Sequence, residues 1–106
     1  EKGFYHRPDP SDPRSLVCHD LLAPEGYGEI IGGGERVWSS DELIERIREE
    51  GLEPDSYGWY LDIRKFGSVP HSGFGLGIDR TVSWICGSAH IKHVIPFQRT
   101  MRRTTP

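Results

Sequence analysis

The chain of 106 residues contains only two cysteines and one methionine. No apolar run approaches the roughly 20 residues of a membrane-spanning helix, and no signal-peptide hydrophobic region is present. There is no excess of positive charge: 13 Lys and Arg stand against 16 Asp and Glu, a net charge of −3. That balance excludes general electrostatic attraction to nucleic acid or to an anionic membrane. Cys18 and Cys86 lie far apart in apolar contexts, LVCHD and SWICG. They read as buried thiols, not as a disulfide framework or a zinc site, and they fit a reducing compartment. His6, His19, His90 and His93 lack metal-ligand spacing and read as structural or exposed. Two nucleotide-loop signatures are missing as well, since neither G-x-G-x-x-G at a strand-to-helix turn nor G-x-x-x-x-G-K-[ST] occurs.

A chain of this length is one small domain or a piece of a larger one. It opens on Glu1-Lys2-Gly3-Phe4 without methionine, which favours the piece. Phe4-Tyr5 reads as a short extended segment, and HRPDPSDPRS, with three prolines, as an exposed loop. Residues 15–23 have the content of a buried strand, PEGYG (24–28) of a turn, and 29–38 of the antiparallel partner strand. Ser39 and Glu42 have capping-box spacing at the start of a helix whose stripe is Leu43, Ile44 and Ile47; Glu45, Arg46, Arg48, Glu49 and Glu50 face solvent, and Gly51 ends it. A second helix runs from Pro54 to about Phe66 with Tyr57, Tyr60, Leu61 and Arg64 along one side. Residues 68–78 form a glycine-rich strand. A third helix starts near Asp79 and carries Val82, Trp84, Ile85 and Cys86, a short turn follows through Ile91, and IPFQR is a final extended piece. Strand pair, two helices, strand, helix is an α+β order, part of an antiparallel sheet flanked by helices.

The glycine-rich strand HSGFGLGIDR poses the main question. Residues two apart in a strand share a face, so Gly73, Gly75 and Gly77 strip one side bare while Phe74, Leu76 and Ile78 point to the other, where helices would cover them. A flat ligand or another backbone could lie on the bare side, with Arg80 reaching a phosphate or stacking on a ring. Close packing of a helix on the glycines, with Arg80 paired to a carboxylate, is equally compatible with the pattern. The hairpin brings Asp20 and Glu29 within reach of each other; Asp20 could equally end a strand at the surface, and Glu29 could pair with Arg36 or Arg80.

GFGLGIDR, with PHSG before it and TVSWICG and HVIPFQR after it, resembles motif 3 of class II aminoacyl-tRNA synthetases, in particular the aspartyl/asparaginyl group. DLLAPEGYGEIIGGGERV independently resembles the strand hairpin of that group, and the PEGYGEIIGG connection is closer to its asparaginyl members. The resemblance implies the C-terminal portion of a catalytic domain over 1–106: hairpin 15–38, helical insert 39–66, motif 3 strand and helix 68–87, and tail 88–106. It implies ATP- and Mg²⁺-dependent activation of asparagine, or aspartate, and transfer to tRNA by a larger, cytoplasmic, homodimeric parent with no membrane role. By that likeness Arg80 matches the arginine on the γ-phosphate and adenine of ATP, with Ile30, Gly75 and Gly77 on the same ligand. Asp20 and Glu29 match the acidic pair that holds Mg²⁺. Arg36 matches the arginine that forks onto the α-carboxylate of the amino acid, Gly32 and Gly33 line that pocket, and His71 and Ser72 stand at its edge.

Four positions depart from the family pattern. GGGER replaces GGSQR, so Gly34 and Glu35 stand where serine and glutamine are usual, Asp79 replaces glutamate, and Gln98 replaces proline. Nothing matches motif 1, motif 2 or an anticodon-binding domain, so these residues would form one side of the site and catalyse poorly alone. Unpartnered apolar helix faces are expected. An asparagine-synthetase-like paralogue and a non-catalytic nucleotide- or partner-binding module are the alternatives.

Overall fold

A computed structural model of the chain describes residues 3–105; Glu1, Lys2 and Pro106, which the sequence reading counts within the domain, lie outside the described residues. The architecture is α+β. Strands β1 (Pro8–Asp9) and β2 (Asp12–Leu16) form one sheet, and β3 (Cys18–Ala23), β4 (Gly28–Glu35) and β5 (Ser72–Leu76) form a second in the order β3-β4-β5. The helices are α1 (Ser40–Glu49), α2 (Gly58–Lys65) and α3 (Ile78–Ile85). The chain divides into two compact units. One holds the described residues through His19 together with Gly33–Phe74; the other holds Asp20–Gly32 and the described residues from Gly75 onward.

The first unit has a core. Ser39 caps α1 as its spacing predicts, its hydroxyl accepting the Glu42 N–H at 3.5 Å, with Asp41 and Glu42 at the positive end of the helix dipole. Leu43 and Ile47 are buried against Val37 and Leu61, with Phe4, Ile44, Tyr57 and Tyr60 packed around them. Each fully buried aliphatic side chain here contributes about 1.5–3 kcal/mol. Arg46, expected in solvent, is half-buried and bonds Glu49 at 2.6 Å. The second helix is split: Pro54–Tyr57 is a 3₁₀ turn, where the proline needs no donor, and α2 begins only at Gly58. Arg64 of α2 is buried yet satisfied. It donates to the carbonyl of Val37 (3.2 Å) and the hydroxyl of Tyr60 (2.8 Å), with its guanidinium 3.9 Å from the Tyr60 ring centre.

Two expectations in this unit are corrected. HRPDPSDPRS is not a loop but the β1–β2 ribbon, antiparallel with Pro8 opposite Leu16 and Asp9 opposite Asp12. A two-stranded ribbon is all edge, so Pro8 and Pro13 sit where a missing N–H is tolerated. Asp9 closes the turn by accepting from both the N–H and the hydroxyl of Ser11. Phe4-Tyr5 is a turn, with the His6 N–H donating to the Gly3 carbonyl.

The second unit has far less inside. Its buried apolar residues are Ala23 and Ile30. The turn at 24–27 forms as predicted, with Glu25, Gly26 and Gly28 at positive φ. Helix α3 starts one residue earlier than expected, at Ile78, and its N-cap Gly77 is still extended, donating its N–H to the Ile30 carbonyl at 2.9 Å. Ser83 is the buried residue of α3. The cover expected over the apolar face of the glycine-rich segment is not there: Leu76 and Ile78 are 46% and 69% exposed, as is Ile85 at 73%. Phe74, in the first unit, is likewise exposed. Cys86, expected buried, is exposed, and Cys18 is half-buried. IPFQR turns at 96–97 instead of extending, and Thr100 bridges to Arg103. Among the described residues no helix is long and apolar enough to cross a membrane.

Candidate functional site

The charged groups singled out from the sequence sort into two clusters, one in each unit. In the first unit Arg36 follows the end of β4, its own N–H donating to the His71 carbonyl at 2.9 Å. Its guanidinium is held on several sides. Nη2 donates to the Gly73 carbonyl at 3.2 Å, Nη1 lies 3.3 and 3.4 Å from the two ring nitrogens of His6, and Cζ stands 5.0 Å from the centre of the Tyr5 ring. Such a planar fork of donors suits a carboxylate. Arg36 also lines an aromatic-walled recess of about 440 Å³ with Phe4, Tyr5, Tyr57, Trp59 and Tyr60. Ser72 opens β5, and the exposed His71 ring bonds the Val69 carbonyl through Nδ1.

In the second unit Asp20 and Glu29 converge. A Cβ on Gly32 would lie 2.6 Å from Glu29 Oε1 and 3.4 Å from Asp20 Oδ1, so glycine there leaves both carboxylates one shared space. Two exposed carboxylates facing one point are hard oxygen donors of the kind that hold Mg²⁺ together with phosphate oxygens and water. The residues present therefore fit the ion. Arg80, on the first turn of α3, donates from Nη1 to the Glu29 main-chain carbonyl at 2.9 Å. It also lines a cavity of about 400 Å³ with Glu25, Tyr27, Ser83, His90 and Ile91 among its walls. Ile30 is buried, so its side chain serves the core.

The three alternate glycines turn out to differ. A Cβ on Gly73 would press on Arg36, 3.3 Å from Nη2, and one on Gly77 would rest on the stem of Arg80 at 3.6 Å. A Cβ on Gly75 would meet nothing within 4 Å. Only Gly75 leaves a surface that the protein does not itself fill. Gly33 has an internal reason to be glycine, since a Cβ there would come 2.8 Å from that of Phe74 and 2.9 Å from the Gly73 carbonyl.

Sequence reasoning passed over Tyr5, His6 and Arg7. The signal was spatial: the Val37 N–H donates to the Tyr5 carbonyl, the Arg7 N–H to the Glu35 carbonyl, and His6 bridges to Arg36. The two departures in GGGER meet this segment. A Cβ on Gly34 would lie 2.7 Å from His6 Nδ1, and Glu35 is ion-paired to Arg7 at 2.5 Å. The Glu35 carboxylate holds the Arg7 guanidinium above its ordinary pKa, by hydrogen bond first and by charge second.

Residues 1–101 match the family model of the class II tRNA synthetases (D, K and N). The chain belongs to that family. It is 57% identical over 105 residues to an asparagine–tRNA ligase of Thermoplasma acidophilum, and 58% identical to one of Thermus thermophilus. Each alignment takes in 99% of this chain and 24% of the relative. Among solved structures, asparaginyl-tRNA synthetase from Pyrococcus horikoshii superposes with a TM-score of 0.93 at 54% identity, over 99% of this chain and 25% of that one. An aspartyl-tRNA synthetase from Entamoeba histolytica gives 0.90 at 31% identity, over 99% of this chain and 21% of that one. The chain thus spans about a quarter of the length of the synthetases it matches.

Proposed function

We propose that this chain is one part of an asparaginyl-tRNA synthetase, which activates asparagine with ATP and Mg²⁺ and passes the acyl group to tRNA. The reading rests chiefly on identity above one half with asparagine–tRNA ligases along the whole chain, against 31% with the aspartyl enzyme. The division of charge supports it. Arg36, braced in the first unit, offers a fork for the α-carboxylate of asparagine, with Gly33, His71 and Ser72 at that pocket. Asp20 and Glu29 hold Mg²⁺, which supplies charge neutralisation on the ATP phosphates. Arg80 takes the γ-phosphate and the adenine ring, and Gly75 gives the nucleotide close access to the backbone.

In the reaction the carboxylate oxygen attacks the α-phosphorus, pyrophosphate leaves, and a tRNA ribose hydroxyl then displaces AMP from the acyl-adenylate. Arg36 fixes the nucleophile and Arg80 the leaving end, so the chain contributes positioning and electrostatic stabilisation. The other residues that surround these charges belong to the remaining length of a homodimeric cytoplasmic parent, and the 106-residue chain alone is a poor catalyst.

The test is amino-acid-dependent pyrophosphate exchange by the full-length enzyme. Exchange with asparagine and not aspartate supports the reading; exchange with aspartate alone assigns the aspartyl activity. Conversion of free aspartate to asparagine without tRNA would instead identify the amidating paralogue. Exchange with neither amino acid leaves the nucleotide-binding module.

A further inference from the structure

We propose that His6 is a positioning residue for Arg36, and that the segment Tyr5-His6-Arg7 thereby belongs to the amino-acid side of the site. The inference rests on the reading of Arg36 as the substrate's carboxylate fork.

His6 is 5% exposed, whereas Arg36 is only half-buried and opens onto the aromatic recess. Nη1 lies 3.3 and 3.4 Å from the two ring nitrogens, within hydrogen-bond reach of whichever one carries the lone pair. An imidazole in that place offers lone-pair and π density to a cation, and it restrains rotation of the fork. Nη2 is fixed by the Gly73 carbonyl at 3.2 Å, and the Tyr5 ring stands 5.0 Å from Cζ. These three contacts define the plane of a side chain that otherwise has some 2 kcal/mol of rotamer freedom to lose on binding. Ordering it beforehand lowers the entropy cost of capturing a carboxylate.

The hairpin is shaped around this brace. Gly34 has no side chain in the space where His6 Nδ1 lies 2.7 Å from the ideal Cβ position, with the Val17 carbonyl at 2.6 Å on the same point. Glu35 is tied to Arg7, the next residue of that segment, at 2.5 Å. Adjacent strand residues face opposite sides, so this carboxylate is directed away from the fork of Arg36. Both departures in GGGER are therefore partnered by adjacent residues of one segment, His6 and Arg7.

The experiment measures asparagine-dependent pyrophosphate exchange by the full-length enzyme and by its His6→Leu, His6→Gln and Tyr5→Leu variants. Wild-type enzyme without exchange overturns the functional reading and, with it, the ligand assigned to Arg36. With wild-type exchange in hand, His6→Leu is expected to raise KM for asparagine about tenfold at constant KM for ATP, the scale of one hydrogen bond to a charged group. His6→Gln, which keeps an acceptor, stays within about threefold of wild type. Equal changes in both KM values, no change in either, or His6→Gln as impaired as His6→Leu would overturn the proposal. If His6→Leu does not fold, Tyr5→Leu decides: a rise in KM for asparagine alone supports the brace, and its absence overturns it.

Discussion

The two units hold the charged residues singled out above in different ways. In the first, Val37, Leu43, Ile47 and Leu61 close a small core, and Arg36 is braced by Tyr5, His6 and Gly73. In the second, Ala23 and Ile30 are the buried apolar residues, and Asp20, Glu29 and Arg80 are exposed. An arginine meant for a carboxylate gains from rigidity, because its fork must match two oxygens at once. Carboxylates meant for a hydrated ion tolerate more freedom, since water and phosphate complete the shell. The apolar face of α3 adds a second contrast. Ile78, Val82 and Ile85 have the spacing of a core-facing stripe but are exposed at levels from 36% to 73%.

The contrast is tested most strongly by stability. Leu43→Ala, which opens a cavity in the first unit, should cost about 2–5 kcal/mol in chemical denaturation, while Ile85→Ala on exposed α3 should stay within about 0.5 kcal/mol. Equal costs would mean that the units do not differ as described. Next in size, Glu29→Gln in the full-length enzyme should raise the Mg²⁺ concentration for half-maximal pyrophosphate exchange about tenfold without moving KM for asparagine. A shift in the asparagine term instead would erase the division of labour between the units. Gly75→Ala sharpens the same line. With nothing within 4 Å of the added methyl group, melting should be unchanged, while KM for ATP rises severalfold if the nucleotide uses that bare surface. An unaffected KM would return Gly75 to a purely structural role.

The smallest effect concerns pH and the β1–β2 ribbon. Ser11 holds the Asp9 carboxyl below its usual pKa, chiefly through its hydroxyl, and Arg14 does the same for Asp12 through its side chain. A carboxyl depressed in the folded state stabilises it above the unfolded value near 4 and loses that contribution as pH falls through the depressed values. The Ser11 and Arg14 amide resonances should move together below about pH 4, with little change in global stability because these groups are open to solvent. An unchanged ribbon at pH 2 would show that the turn geometry holds without the charges.

How much of this was legible beforehand follows from range. The cap at Ser39, the stripe Leu43–Ile47, the turn at 24–27 and the strand-to-helix passage into Arg80 are local patterns, and they form within a residue or two of the expected places. The ribbon was misread because prolines argue against strands in general but not against edges. The unpartnered apolar face of α3 was expected, whereas Phe74, Leu76 and Ile78 were wrongly read as covered, since periodicity shows which residues share a face and not what lies opposite. The convergence of Asp20 and Glu29 could be anticipated from a short hairpin, whereas the Tyr5-His6-Arg7 brace could not. Its partners are about 30 residues away, and only the backbone pairing of Tyr5 with Val37 and Arg7 with Glu35 brings them together.

The sequence by itself determined the family of this chain, its α+β order and the residue types available for chemistry, because glycine spacing, capping residues and charged motifs act over a few neighbouring positions. Tertiary structure alone decided which of three glycines is bare, which histidine meets Arg36, and which apolar face stays in solvent. Each of those depends on what packs against a residue from a distant part of the chain, and the closeness of two side chains in space is not written in the properties of either.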